Sequence, residues 1–126
     1  MTVQPQQDEA LTKAKRLTFL NAAIITAPGG YEFRPITLTA ARDLVCEFQS
    51  SGREIQSAIG HASTAELFST LLKFPVANNR IEFIQTDYDI ALVFKLKRRA
   101  PEGVILTRRE IEEIGYEIGL LTRTDC

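Results

Sequence analysis

The chain has 126 residues, a mass of 14.1 kDa, 44% apolar residues and a formal net charge of −1, which sets one domain around a small core. The charge balance excludes a general attraction to duplex nucleic acid or to an anionic membrane, so any basic site must be local. No apolar run approaches the roughly 20 residues that cross a bilayer, the N-terminus lacks the apolar core of a secretory signal, and Cys46 and Cys126 have neither metal-like spacing nor a second pair, so a reducing, cytoplasmic setting with no disulfide, metal or other cofactor is expected.

Residues 1–14 (MTVQPQQDEALTKA) are polar and Gln-rich and are expected to form a flexible arm, leaving 15–126 as a single α/β domain. RLTFLNAAII, from Arg16, is a first strand and TAPGG a turn. YEFRPITL is a second strand, and its Pro35 places it at an edge or a bulge. From Thr39 the apolar period becomes helical: Ala41, Leu44, Val45 and Phe48 share one face, and QSSG ends the helix. REIQSAI is a short third strand. Ser63 followed by Glu66 fits a capping box opening a second helix, with Leu67, Phe68, Leu71 and Leu72 as its buried stripe. KFPVANN is a loop. RIEFIQ and IALVFKLK alternate like two strands of a hairpin, with TDYD between them. After the loop RRAPEG, Thr107 and Glu110 form another possible capping box for the short helix RREIEEI, Gly115 stops it, and YEIGLLTR is the last strand. The order predicts a mixed, largely antiparallel sheet with helices on one face.

Four stretches bear on chemistry. SAIGHASTAEL holds the chain's single histidine, His61, at a helix start. A helix N-terminus presents unpaired N–H groups and the positive end of the dipole, which suit phosphate. Gly60 would let a ligand near the backbone, Ser63 and Thr64 offer hydroxyls, and His61 can donate a hydrogen bond or a proton near neutral pH. The plainer reading is a capped helix with a turn histidine. In KLKRRAPEG, Arg99 could fork onto a phosphate and Glu102 could orient it or move a proton; the plainer reading is a charged, solvated strand end. Asn79 and Arg80 fit a turn or a contact to a base or ribose edge. Asp87 and Asp89 fit a hairpin loop better than a metal site, and Arg108, Arg109 and Arg123 are surface charges or pocket-lining groups.

Together, AIGHAST, NNRIEF, ALVFKLKRRAPEG and YEIGLLTR resemble the small viral and mobile-element family that contains the ring-nuclease anti-CRISPR proteins, and the chain is also similar to the phage Thoeris anti-defence sponges, over about residues 16–124. The resemblance implies a small α/β protein, at least a homodimer, whose partner is a cyclic nucleotide signal rather than duplex nucleic acid or a membrane. In the ring nucleases the histidine of the Gly-His block and the arginine and glutamate of the Arg-x-x-Glu-Gly block cut cyclic tetra-adenylate without metal; these fall on His61, Arg99 and Glu102. The sponges hold cyclic ADP-ribose-type signals, and some cyclic oligonucleotides, without cutting them. The expected ligand-binding set is Gly60, His61, Ser63, Thr64, Asn79, Arg99 and Arg109. The chemistry is economical: a cyclic RNA carries its own 2′-hydroxyl nucleophile, so alignment, charge neutralisation and one proton donor suffice. The N-terminal segment, Pro101 and the ending GYEIGLLTR look more like the bacterial and phage branch, which favours holding over cutting. The expectation is therefore an anti-defence protein that sequesters a cyclic nucleotide messenger. The alternatives are a metal-independent ring nuclease with His61 as general acid, and an interaction protein whose motif serves the fold.

Overall fold

The computed structural model describes residues 13–25, 27–86, 88–98 and 106–123. Five strands form one mixed sheet: β1 (Arg16–Leu20), β2 (Tyr31–Pro35), β3 (Glu54–Ser57), β4 (Asp89–Leu96) and β5 (Tyr116–Arg123), in the spatial order β2-β5-β4-β1-β3. β1 pairs in parallel with β3 and β4, while β5 pairs antiparallel with β4 and β2. Among the described residues, the helices α1 (Leu38–Ser50), α2 (Ala62–Leu72) and α3 (Arg108–Ile114) complete an α/β domain.

Two of the helices begin at a side-chain cap. Thr37 caps α1 by accepting from the Ala40 amide at 3.1 Å, and Ala41, Val45 and Phe48 turn one stripe into the core. α3 carries the expected capping box in full: Thr107 accepts from the Glu110 amide at 3.2 Å and Glu110 accepts from the Thr107 amide at 3.1 Å. The Ser63–Glu66 capping box does not form. The N-cap of α2 is His61, two residues earlier, and its side chain makes no cap hydrogen bond. Ser63 therefore sits inside the first turn, where its hydroxyl has no cap to make. Leu67, Phe68, Leu71 and Leu72 are all buried, as their spacing predicts.

The helices cover one face of the sheet. Leu17 and Phe19 of β1, Ile90, Leu92 and Phe94 of β4, and Ile118 and Leu120 of β5 point into the same cluster as the helix stripes. The alternate residues Leu20, Ala91, Val93 and Leu121 form a smaller cluster on the opposite face, closed by Phe83. Phe83 belongs to RIEFIQ, which forms no strand in the structure. The reason is topological: β1 and β5 occupy both edges of β4, so no ladder position remains for a hairpin partner. The segment instead lies over the second face. Asn79 donates from its backbone to Ile59 O and from its side chain to Ser57 O, both at 2.8 Å, at the carboxyl end of β3. At the other end Thr86 bonds Asp89, the first residue of β4. Asp89, expected in a hairpin loop, is thus a buried strand residue; Asp87 lies outside the described residues.

Pro35 ends β2, an edge strand, as proline's missing donor requires. At the start of the domain, packing reaches back to Ala14, which is buried and accepts from Arg53 Nη1 at 3.0 Å.

Candidate functional site

The three parallel strands β1, β3 and β4 end on one edge of the sheet, and α1 and α2 begin there. In open α/β sheets that edge gathers ligands, because strand ends and helix N-termini leave backbone groups and positive dipole ends facing outward. At the end of β3 the chain passes through buried Ile59, half-buried Gly60 and exposed His61 into α2. Arg80 folds over Gly60: its Nε donates to Gly60 O at 3.1 Å, and a Cβ on residue 60 would stand 2.6 Å from Arg80 Cγ. Glycine at 60 is therefore needed for this close approach of the returning chain.

The structure brings Gly60, His61, Ser63, Thr64 and Asn79 together around the mouth of α2. Asn79 does so as a tie, since its amide nitrogen is committed to Ser57 O. Arg109 is not part of that group: its side chain is 89% exposed and pairs with Glu113 on its own helix at 3.6 Å. Arg99 and Glu102 lie outside the described residues.

An open cavity of about 740 Å³ lies on the same edge. Its wall includes Asn21 after β1, Thr37 at the start of α1, Lys95 near the end of β4, Glu117 on β5 and the ring of Phe33 on β2. Lys95 and Glu117 stand directly opposite in the β4–β5 register. The half-exposed Phe33 ring lies across Gly119, where any Cβ would collide with it. A glycine inside a strand marks such a close approach, and Gly119 was the available signal for the cavity in the sequence. The His61 block lies on the same edge but outside this wall. Among the described residues, no three His, Cys, Asp or Glu side chains converge as metal ligands.

His61 occupies a position where Ser, Thr, Asp or Asn would stabilise the helix. Replacing His61 with Asp supplies both an acceptor for the first-turn amides and a favourable charge, so stability should rise by about 1 kcal/mol. Thr107→Ala, which removes the working box of α3, should cost about 1 kcal/mol. Urea unfolding of the two variants measures both signs. A loss of stability in His61→Asp as large as that in Thr107→Ala would make the imidazole a structural element.

Comparison with known proteins agrees with this layout. Residues 17–118 match the STIV B116-like family. The chain is 38% identical over 109 residues to the uncharacterized protein YddF of Bacillus subtilis (strain 168), covering 86% of this chain and 98% of that one. It is 33% identical over 109 residues to uncharacterized protein 26 of a Sulfolobus islandicus filamentous virus, covering 82% and 88%. It is also 31% identical over 94 residues to protein ORF117 of Acidianus two-tailed virus, covering 74% and 78%. The solved structure of B116 from Sulfolobus turreted icosahedral virus superposes with a TM-score of 0.73 over 87% of this chain and all of the other, at 21% identity, which speaks to the fold alone. None of the described helices is long and apolar enough to cross a membrane. On the extent of the match and these identities, the chain belongs to the STIV B116-like family, whose relatives here come from archaeal viruses and a bacterium.

Proposed function

We propose that the protein binds a cyclic nucleotide immune signal and withholds it from the host effector. The observation that carries this reading is the cavity at the carboxyl edge, with an aromatic ring (Phe33), an amide (Asn21) and an ammonium (Lys95) on one wall. Those three groups match the parts of a nucleotide: a planar base to stack, polar base or ribose edges, and a phosphate. The mouth of α2 on the same edge adds amide donors and a positive dipole end. Kinship with proteins of viruses supports a role in a mobile element's contest with its host. A sponge needs only complementarity and slow release.

The exposed His61 side chain, with no cap bond to make, favours a second reading in which the same signal is cut. There the 2′-hydroxyl of the ring gives its proton to water and attacks the neighbouring phosphorus, a 2′,3′-cyclic phosphate forms as the bond to the 5′-oxygen breaks, and the leaving 5′-oxygen takes a proton from His61.

The test mixes excess protein with cyclic ADP-ribose isomers and with cyclic di-, tri- and tetranucleotides, then separates the free small molecules before and after heat denaturation. A ligand that is depleted and returns intact supports sequestration. In that case His61→Ala should weaken retention by about tenfold or less, the worth of one hydrogen bond. A linear product without metal supports the second reading, and His61→Ala should then slow its formation by about 10²-fold or more. Full recovery of every ligand in the free fraction sinks both.

A further inference from the structure

We propose that Glu117 decides which sugar the cavity accepts: its carboxylate takes a hydrogen bond from the ribose 2′-hydroxyl beside the phosphate that Lys95 holds, so ribonucleotide rings bind and their deoxyribose counterparts are rejected. This selectivity rests on the ligand reading above, with the same cavity and the same phosphate on Lys95. Along the β4–β5 ladder two neighbouring pairs line that cavity on one face of the sheet, Val93 opposite Gly119 and Lys95 opposite Glu117. Val93 is buried and Gly119 lies under the Phe33 ring, so the wall is apolar at this end and offers a base a surface to stack on. Two residues further along each strand, a step of roughly 7 Å, the wall becomes charged. A base over Phe33 and the sugar it carries can span that step together.

Lys95 and Glu117 are both exposed and stand directly opposite, where Cβ atoms are roughly 4.5–5.5 Å apart. They do not close an ion pair on each other, and among the described residues neither side chain has a hydrogen-bond partner. Both are therefore open to a ligand. The ammonium suits a phosphate. The carboxylate repels that same phosphate, and the repulsion is a cost unless the ligand gives the carboxylate a donor. In a 3′,5′-linked ring the donor next to a phosphate is the 2′-hydroxyl of the same ribose. Carboxylates read this hydroxyl in dinucleotide sites, and it is the group by which a protein separates RNA from DNA. A deoxyribose leaves Glu117 with the repulsion and without the hydrogen bond, so the wrong sugar is rejected as well as the right one favoured.

Equilibrium dialysis of the full chain tests this against cyclic di-, tri- and tetranucleotides of adenine and of guanine, each beside its all-2′-deoxy counterpart. Wild type should hold at least one ribose ring more tightly than its counterpart by roughly tenfold to a hundredfold, as for a hydrogen bond to a charged group. Glu117→Gln keeps the shape and removes the charge. It should weaken the ribose ring by about tenfold and leave the deoxyribose ring unchanged or tighter, so that the ratio falls toward one. Lys95→Ala should weaken both rings alike and preserve the ratio. The wild-type comparison needs no variant, so it stands whether or not Glu117→Gln folds. Equal retention of ribose and deoxyribose rings by wild type, or a ratio that Glu117→Gln leaves intact, overturns the proposal while the ligand reading survives. Retention of no ring also overturns it, and takes the ligand reading down as well only if cyclic ADP-ribose is left free too.

Discussion

Phe68→Ala is expected to lower the stability of the protein by about 4 kcal/mol, within the range for emptying a buried aromatic site. Phe68 is fully buried on α2. Its ring stacks on Phe94 of β4 with centroids 4.9 Å apart and 14° between planes, and meets Phe19 of β1 edge-on at 5.4 Å and 76°. Phe19 in turn touches Phe74, and Phe94 touches Tyr116, so Phe68 is the middle of a five-ring chain. Alanine removes both central contacts at once and leaves a cavity with rigid strand walls that cannot collapse into it. Against a typical total of about 5–15 kcal/mol the loss is large. Phe68→Leu keeps most of the volume and should cost less than half as much. Denaturant unfolding of the two variants gives the comparison. The loss also bears on function, because the same helix carries the Gly60–His61 mouth: Phe68→Ala should raise amide exchange in the first turn of α2 and weaken whatever binds there. A loss of under about 1 kcal/mol would mean that α2 is not held to the sheet by these rings.

The limits of the sequence are as physical as its successes. Strands β1 to β5 and all three helices were legible, because each carries its own period and punctuation: the alternation of DIALVFKL, the stripe of α1, the Thr107–Glu110 box. RIEFIQ was not legible as a strap that crosses the second face of the sheet without joining a ladder. Its alternation is real, with Phe83 and Gln85 inward and Ile84 outward, but alternation reports facing and not the existence of a partner. Whether an edge of β4 was free depended on β1, more than 60 positions away, and no local signal carries that. The helix mouth at residue 61 was legible as a place but not as a geometry. Ser63 suggested a cap, and the structure starts α2 on His61 instead, a locally unfavourable choice of the kind found at functional sites. The cavity was missed because its wall is assembled from three strands, β2, β4 and β5, together with the segment after β1 and the start of α1. Only Gly119, a glycine in a strand under an aromatic ring, pointed toward it.

Asp89→Ala should cost about 3 kcal/mol, since it removes one member of a buried ion pair and leaves its donors unmatched. Asp89 is 2% exposed. One carboxylate oxygen accepts from Arg16 Nε, and the other accepts from the Thr86 amide and the Thr86 hydroxyl, both at 2.8 Å. The residue thus joins β1 to β4 at the amino ends of two parallel strands, where Arg16 and Asp89 are register partners, and fixes the lower end of the strap. The Arg16 guanidinium is held above its ordinary value by the hydrogen bond to Asp89, against the opposing cost of burial, with smaller help from the charges of Asp89 and Glu54. A cation whose pKa is raised on folding contributes its stability in full below its unfolded value and loses it only above. The wild-type pair should therefore act unchanged from neutral pH to the alkaline limit of an unfolding assay. Arg16 is 32% exposed, so water recovers part of its solvation in the variant, which keeps the expected cost at the low end for a broken buried pair. Asp89→Asn keeps an acceptor for Thr86 but loses the charge, and should cost roughly half as much. Salt separates this pair from the surface ones: the exposed Arg108–Glu112 and Arg109–Glu113 pairs should fade in about 1 M NaCl, while the Asp89 effect persists. Unfolding of wild type, Asp89→Ala and Asp89→Asn at low and high salt makes the measurement. A penalty that disappears with salt would place Arg16–Asp89 among the solvated pairs and leave the strap's lower anchor to Gln85, whose amide nitrogen donates to Leu121 O at 3.0 Å.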